Sequence, residues 1–366
     1  MRRLAALAAF FALTAPASAG EWLAGDFHVH TTYSHDSYGG PGDDNTGPEE
    51  FYTLGSTVEE SFQFASLRGL DFMAVTDHND VRSQGDPGWG AGGVLGIPAY
   101  ENSLDGHGQM LGARRVYDKS DVPAMAAALR ADGGLLQANH PSDPRWAYPY
   151  DEVPVDTVEV WNLPWFYQPP FPSAGDHDAD LAFGTSLLDA GHQVTFTGGS
   201  DSHWKSTSLA QGPGSPTTWV YAEERSVEGV LDALRDGRTT ISWAPPLLNG
   251  PRVLYENAMP GATLSPAAPL RVRVTGAPGA TLRVVGDDGT ELSVVTVDSP
   301  DFLHEVAIPD GVTYAYAQVH AEDGREQRPG LCAAVPVLEL HGETTYCSNR
   351  IGMLALASAV FFDRAG

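Results

Sequence analysis

Four apolar, strand-like runs in this chain each end in a short cluster of histidine and carboxylate, and that repetition constrains the fold more than any other feature. The first is Gly25-Asp26-Phe27-His28-Val29-His30-Thr31-Thr32-Tyr33-Ser34-His35-Asp36. On a strand, residues i and i+2 share a face, so His28 and His30 can both reach one metal ion. A lone His-x-His pair says little. Here it is followed by Thr76-Asp77-His78, Asn139-His140-Pro141 and Ser200-Asp201-Ser202-His203, each at the end of its own apolar run.

Between Trp22 and about Trp243 the pattern reads as repeated strand–helix units. Strands are predicted at Trp22–His30, Leu70–Asp77, Gly93–Glu101, Gly134–His140, Thr157–Asn162, Val194–Ser200 and Thr217–Tyr221. Several are continuous apolar runs, as suits strands buried on both faces. Helices are predicted at Thr57–Leu67, with Thr57 and Glu60 at capping-box spacing, and at Asp121–Ala131, with Asp121 as N-cap and Gly133-Gly134 as the stop. Two more run over Asp180–Ala190, ending at Gly191, and Ser226–Arg235, ending at Gly237. Alternating β and α with short glycine-rich links predicts a parallel α/β sheet or barrel. In such folds the active site gathers at the carboxyl ends of the strands, where all four polar motifs fall.

Long loops follow two of the motifs, Tyr38–Gly55 and Arg82–Gly92, and loops of that length are usually lids or excursions. A third, Pro164–Asp178, carries aromatics suited either to walling a cleft or to packing over the domain. After Pro245-Pro246 the pattern changes. Leu270–Thr275 and Thr313–His320 alternate, and Leu282–Val285 and Leu292–Val297 flank an Asp287-Asp288-Gly289 turn. The expected organisation is a leader at 1–19, a metallohydrolase-like α/β domain at 20–245, and a small antiparallel β-sandwich-like domain at 246–366. Ile351–Phe362 is too short to span a membrane and reads as a last strand returning to a sheet.

Compartment follows from the first residues. Arg2 and Arg3, the apolar Leu4–Leu13 and the small-x-small Ala17-Ser18-Ala19 read as a signal peptide, so export to the periplasm or medium is expected. The apolar run is too short for an anchor, and no cysteine follows the site to carry a lipid. Losing Arg2 and Arg3 takes the formal net charge from −26 to −28, which disfavours nucleic acid and anionic membranes as partners. An anionic small-molecule substrate must then be drawn in by metal ions or a few cations. Arg82 and Lys205, with Arg114 beside them, are the candidate substrate-binding cations. Cys332 and Cys347 suit a disulfide in an exported protein. Oligomeric state is not legible.

The candidate metal ligands are His28, His30, His35 or Asp36, His78, His140, Asp201 and His203, joined by Glu101 and His107. Imidazole with carboxylate suits Zn²⁺, Mn²⁺ or Fe²⁺. So many ligands exceed one tetrahedral site, which implies two or three divalent ions, with Glu101 as the natural bridge. Glu101, Asp201 and His203 are the expected catalytic residues. Asp77 is expected to contact backbone or to orient His78. His177, His192, His304, His320 and His341 lack such context. Clustered divalent ions activate water as a nucleophilic hydroxide and neutralise charge on a phosphoryl or acyl centre.

In this order the motifs resemble the polymerase and histidinol phosphatase (PHP) superfamily of metal-dependent hydrolases. Asp26-Phe27-His28-Val29-His30-Thr31 is similar to its first motif, Val75-Thr76-Asp77-His78-Asn79 to the second, Asn139-His140-Pro141 to the third and Gly199-Ser200-Asp201-Ser202-His203 to the fourth. Glu101…Gly106-His107 resembles the segment with the bridging glutamate. The resemblance spans about residues 22–243 and implies a distorted seven-stranded (β/α) barrel with a di- or trinuclear site. It implies one ion on His28, His30, Glu101 and Asp201, a second on Glu101, His107 and His140, and a third on His78, His203 and a first-loop residue. Where the family has Ser-Asp-Gly, this chain reads Ser34-His35-Asp36-Ser37, which leaves His35 and Asp36 open. The exported form with a β-rich tail looks most like the carbaryl hydrolase branch. Phosphoester hydrolysis is the first expectation. Hydrolysis of a carbamate, carboxylic ester or amide at the same site, and a non-catalytic binding module, are the rivals.

Overall fold

The computed structural model describes residues 20–37, 55–103, 106–142, 153–162, 177–203, 212–321 and 353–363. The expected leader, most of the Tyr38–Gly55 loop, nearly all of the Pro164–Asp178 segment, Lys205, Cys332, Cys347 and His341 lie outside them. In chain order the elements are β1 (Glu21–Val29), α1 (Val58–Leu67), β2 (Phe72–Val75), β3 (Leu95–Pro98), β4 (Glu101–Asn102), β5 (Gly108–Leu111), α2 (Val122–Ala131) and β6 (Leu135–Ala138). There follow β7 (Thr157–Asn162), α3 (His177–Asp189), β8 (Thr195–Gly199), β9 (Thr217–Ala222), α4 (Val227–Arg235) and β10 (Thr239–Ser242). The rest is strand: β11 (Arg252–Tyr255), β12 (Thr263–Leu264), β13 (Leu270–Thr275), β14 (Thr281–Gly286), β15 (Glu291–Thr296), β16 (Asp301–Val306), β17 (Tyr314–His320) and β18 (Met353–Phe362).

The helices begin where their caps place them. Thr57 Oγ1 accepts from the Glu60 amide at 3.2 Å while Glu60 Oε2 accepts from the Thr57 amide at 2.9 Å, a reciprocal capping box. Asp121 caps α2 through the Ala124 amide, and Ser226 caps α4 through the Gly229 amide. Each of α2, α3 and α4 is followed by a glycine at positive φ (Gly133, Gly191 and Gly237), the left-handed residue that ends a helix without a Cβ clash.

β1 is the strand on which the rest depends. Leu23 and Phe27 on one face pack with Val230, Leu231 and Leu234 of α4; Ala24 and Val29 on the other pack with Phe62 and Ala65 of α1. Burial of one such phenylalanine contributes about 1.5–3 kcal/mol. β1 runs parallel to β2 on one side and antiparallel to β9 on the other. Its pairing with β9 covers only Glu21–Gly25. Past that point the strand turns to the end of β8, where the Asp201 amide donates to the His28 carbonyl at 2.7 Å and the His30 amide to Ser202 at 2.9 Å. A register irregularity between Asp26 and Val29 marks the change of partner. Bulges of this kind bend a strand and re-aim its side chains.

The sheets are mixed rather than parallel throughout. One runs β15-β14-β17-β18-β10-β9-β1-β2-β3, a second β4-β5-β6-β7-β8, and a third β11-β13-β16. The expected seven-stranded barrel does not close among the described residues. The first two sheets meet through the isolated bridges His78–Glu101 and Val29–Ser202. Along its first half the edge of β1 is instead taken by β9, which runs antiparallel to it. The antiparallel strands expected after Pro246 are present. β18, buried along nearly its whole length, hydrogen-bonds to β10, so their sheet continues into that of β1. Among the described residues no helix is long and apolar enough to cross a membrane.

Candidate metal centre

Asp26 fixes the end of β1. Its fully buried carboxylate accepts from the amides of His28 (2.9 Å), Ser200 (3.1 Å) and Gly214 (2.6 Å), tying β1 to the loops after β8. Burial pushes its pKa up to about 6, and these three amides limit the rise. His28 and His30 then point to the same side, both fully buried, with their Nε2 atoms 3.1 Å apart.

Those two nitrogens face two carboxylates. Glu101 Oε2 lies 3.3 Å from His28 Nε2 and 3.2 Å from His30 Nε2; Asp201 Oδ1 lies 3.2 and 3.1 Å from the same atoms. Neighbouring ligands on one ion with bonds of 2.0–2.1 Å stand about 2.8–3.4 Å apart. These five separations fall inside that interval, so this donor set fits a divalent ion on size as well as chemistry.

Glu101 Oε1 faces the other way, 2.8 Å from His107 Nδ1 and 3.5 Å from His140 Nε2, and accepts from Asn139 Nδ2 at 2.8 Å. Its two oxygens thus serve two sets of imidazoles. His78 Nδ1 also comes within 3.2 Å of Glu101 Oε2. On the far side, Asp36 Oδ2 lies 3.3 Å from His78 Nε2 and 2.9 Å from His203 Nε2. In the first loop Asp36 carries the carboxylate in this cluster, while His35 is exposed with its ring 4.8 Å from that of His78.

Four groups of donors each lie within 4.8 Å of one another: His30, Asp36, His78 and His203; His28, His30 and Asp201; His78, Glu101 and His107; and His28, His140 and Glu159. This differs from the partition the resemblance implies, most visibly at His78 and His140. His78 sits with Glu101 as well as with Asp36, and His140 sits with Glu159 as well as near Glu101. Asp77 contacts backbone, accepting from the Thr31 amide at 2.6 Å and from its hydroxyl. Arg82 is mostly exposed and paired with Asp80, its Nε 2.7 Å from Oδ2, beside the Tyr33 ring. Arg114 is exposed. His177, His192, His304 and His320 belong to none of the four groups.

Charge in the cluster is strongly coupled. Burial alone would raise Glu101, Asp201 and Asp36, but the surrounding histidines hold all three carboxyls well below their usual range. Burial opposes the charge on His203, yet Asp36 and then Asp201 outweigh it and lift its pKa to about 10. His28 and His140 are also raised against burial by their carboxylate neighbours. His107 goes the other way: burial pulls it down to about 3 despite Glu101. Three residues in or beside the motifs hold left-handed backbone, Asn79 (φ 52°), His140 (φ 26°) and Asp201 (φ 48°). Such conformations cost on the order of 1–3 kcal/mol each and cluster at functional sites.

Several supporting residues escape a motif search. Glu159 accepts from His28 Nδ1 at 3.0 Å, Ser34 Oγ lies 3.0 Å from His30 Nδ1, and Asn162 Nδ2 donates to Asp201 Oδ2 at 3.2 Å. Glu159 left one trace in the sequence, an acid inside the apolar run of β7.

A family profile described as "Protein of unknown function (DUF3604)" matches residues 18–84. No curated protein matches the chain. Two solved structures are similar at 16% identity. One is a two-domain protein containing a predicted PHP-like metal-dependent phosphoesterase from Bacteroides vulgatus ATCC 8482, with TM-score 0.45 over 87% of this chain and 95% of that one. The other is a candidate metal-dependent phosphoesterase from Bifidobacterium adolescentis ATCC 15703, with TM-score 0.35 over 52% of this chain and 90% of that one.

Proposed function

We propose that this chain is an exported, PHP-type metal-dependent hydrolase whose first substrates are phosphoric esters. The observation that carries the reading is Glu101. One carboxylate turns its two oxygens toward two different sets of buried histidines, the arrangement expected of a bridge between cations. The ions proposed are two or three of Zn²⁺, Mn²⁺ or Fe²⁺. His28, His30, Glu101 and Asp201 would hold one, Glu101, His107 and His140 a second, and Asp36, His78 and His203 a third.

When bound, divalent ions supply Lewis acidity toward water and toward the oxygens of a phosphoryl group. The chain supplies the rest. Asn139 and Asn162 fix the rotamers of Glu101 and Asp201, and Asp26 holds the strand end that presents His28 and His30. Asp201 and Glu101 remain carboxylates at neutral pH and so keep their lone pairs for cations. Lys205 and Arg82, which must leave Asp80 to do so, are the proposed cations for an anionic ester. The reading places a barrel-like domain at 20–245, a β-rich domain at 246–366, and the mature protein in the periplasm or medium.

Metal content per purified chain, followed by a substrate panel with the native ion, tests this. Turnover of a phosphomonoester or diester, lost on chelation and on His28→Ala or Asp201→Ala, is the expected result. Faster turnover of an aryl carbamate or carboxylic ester would move the reading to the rival bond class. A chain that takes up no metal after reconstitution would leave the binding-module reading.

A further inference from the structure

One fully buried acid beside the cluster joins residues from two of its donor sets. Glu159, on β7, places Oε1 3.0 Å from His28 Nδ1. Its Oε2 accepts from the His140 backbone amide at 3.2 Å and from Asn162 Nδ2 at 3.0 Å. No lysine or arginine is among these partners. β8 is shaped around the same contact: a Cβ at Gly199 would stand 2.4 Å from His28 Cβ and 2.6 Å from Glu159 Oε1. A carboxylate oxygen that accepts at Nδ1 requires that nitrogen to carry the proton, so in the neutral ring that ligation requires the lone pair falls on Nε2, on the side of Glu101 and Asp201.

We propose that Glu159 is a positioning residue of the metal centre. Through Oε1 it sets the ring orientation and tautomer of His28, and through Oε2 it anchors the left-handed backbone of His140. The role rests on the metal-centre reading above. It concerns the chain's readiness to bind an ion, so its test does not need a substrate. Outer partners of this type are typically worth roughly 10- to 100-fold in metal affinity.

The test uses the full mature chain with Zn²⁺ as probe. Zinc affinity is measured by chelator competition for wild type and Glu159→Gln, with far-UV circular dichroism to establish folding. In parallel, the imidazole N–H resonances of the zinc-loaded wild type are recorded. The expected results are a folded Glu159→Gln chain with zinc bound roughly 10- to 100-fold more weakly, and a downfield, slowly exchanging Nδ1–H proton on wild-type His28 that shifts in the variant. Wild-type affinity in a folded Glu159→Gln overturns the role while leaving the metal centre standing. A wild type that binds no zinc overturns the metal centre and the role together. If Glu159→Gln does not fold, the wild-type spectrum decides: a His28 protonated at Nε2, or lacking the downfield Nδ1–H, overturns the proposal.

Discussion

Asp36 Oδ2 lies 2.9 Å from His203 Nε2, so the loop after the first motif and the last residue of the fourth meet at one point. The same oxygen is 3.3 Å from His78 Nε2. His35, the preceding residue, is exposed. Asp36→Ala should therefore lower the metal retained per chain after dialysis, whereas His35→Ala should retain the wild-type amount. Elemental analysis of the two variants checks this, and the reverse ranking would mean that the loop presents His35 when an ion is present.

Metal uptake should release protons. His203 is raised to about 10, so at pH 7.5 its imidazole holds a proton in the metal-free chain, and the carboxylates around His28 and His140 raise those rings as well. Ligation requires the neutral ring. For His203 the sign is that of a raised folded pKa. Its pairing with Asp36 stabilises the metal-free chain fully below pH 6.5 and is lost as pH rises through about 10. Zinc affinity should accordingly climb over the same interval. Calorimetric titration at pH 7.5 in two buffers of different ionisation enthalpy should give different heats, corresponding to at least one proton released. Equal heats would contradict the protonation pattern.

Asp180 gives a separate pH signature. It is buried, its Oδ1 accepts from the Ser142 amide at 2.7 Å, and burial pushes its pKa up to about 7. An acid with a raised folded pKa stabilises fully below its unfolded value, near 3.8, and loses that contribution as pH rises through about 7. The loss is at most on the order of 4 kcal/mol. An asparagine keeps an acceptor for Ser142 and cannot ionise. Asp180→Asn should gain stability relative to wild type between pH 4 and pH 8, read as urea midpoints of the metal-free proteins. A constant difference across that range would refute the shift.

How far these features are legible in the sequence depends on whether their cause is local. The caps at Thr57, Asp121 and Ser226 and the stop at Gly133 are written in neighbouring residues, and β7 and β13 have the bounds that apolar patterning predicts. Strand-end histidines are also local, since period-two geometry puts His28 and His30 together. What was not legible is long-range. β5 and β10 are four-residue strands, too short to show a period, and β10 exists as the seam between β9 and β18. Among the described residues no barrel closes, and β9 pairs antiparallel with the first half of β1, a choice no local pattern records. Whether Asp36 or His35 faces His78 and His203 depends on the turn of a loop, which no local pattern records. Glu159 escapes a motif search because a single acid in an apolar strand matches no motif, although an unpaired acid there would be costly.

Gly199 separates the ligands from what orients them. It bears no donor, yet a Cβ there would stand 2.6 Å from Glu159 Oε1 and 2.4 Å from His28 Cβ, both far inside contact distance. Gly199→Ala leaves every candidate ligand and Glu159 in place and forces the pair apart. Overpacking of this kind costs about 1–3 kcal/mol of stability. If the Glu159–His28 contact sets the imidazole, zinc affinity should fall alongside, by roughly the 10- to 100-fold expected of an outer partner. Chemical denaturation and chelator competition on the same preparation measure the two effects independently. Reduced stability with wild-type zinc affinity would show that β8 yields instead, and that the contact between Glu159 and His28 does not govern how the ion is held.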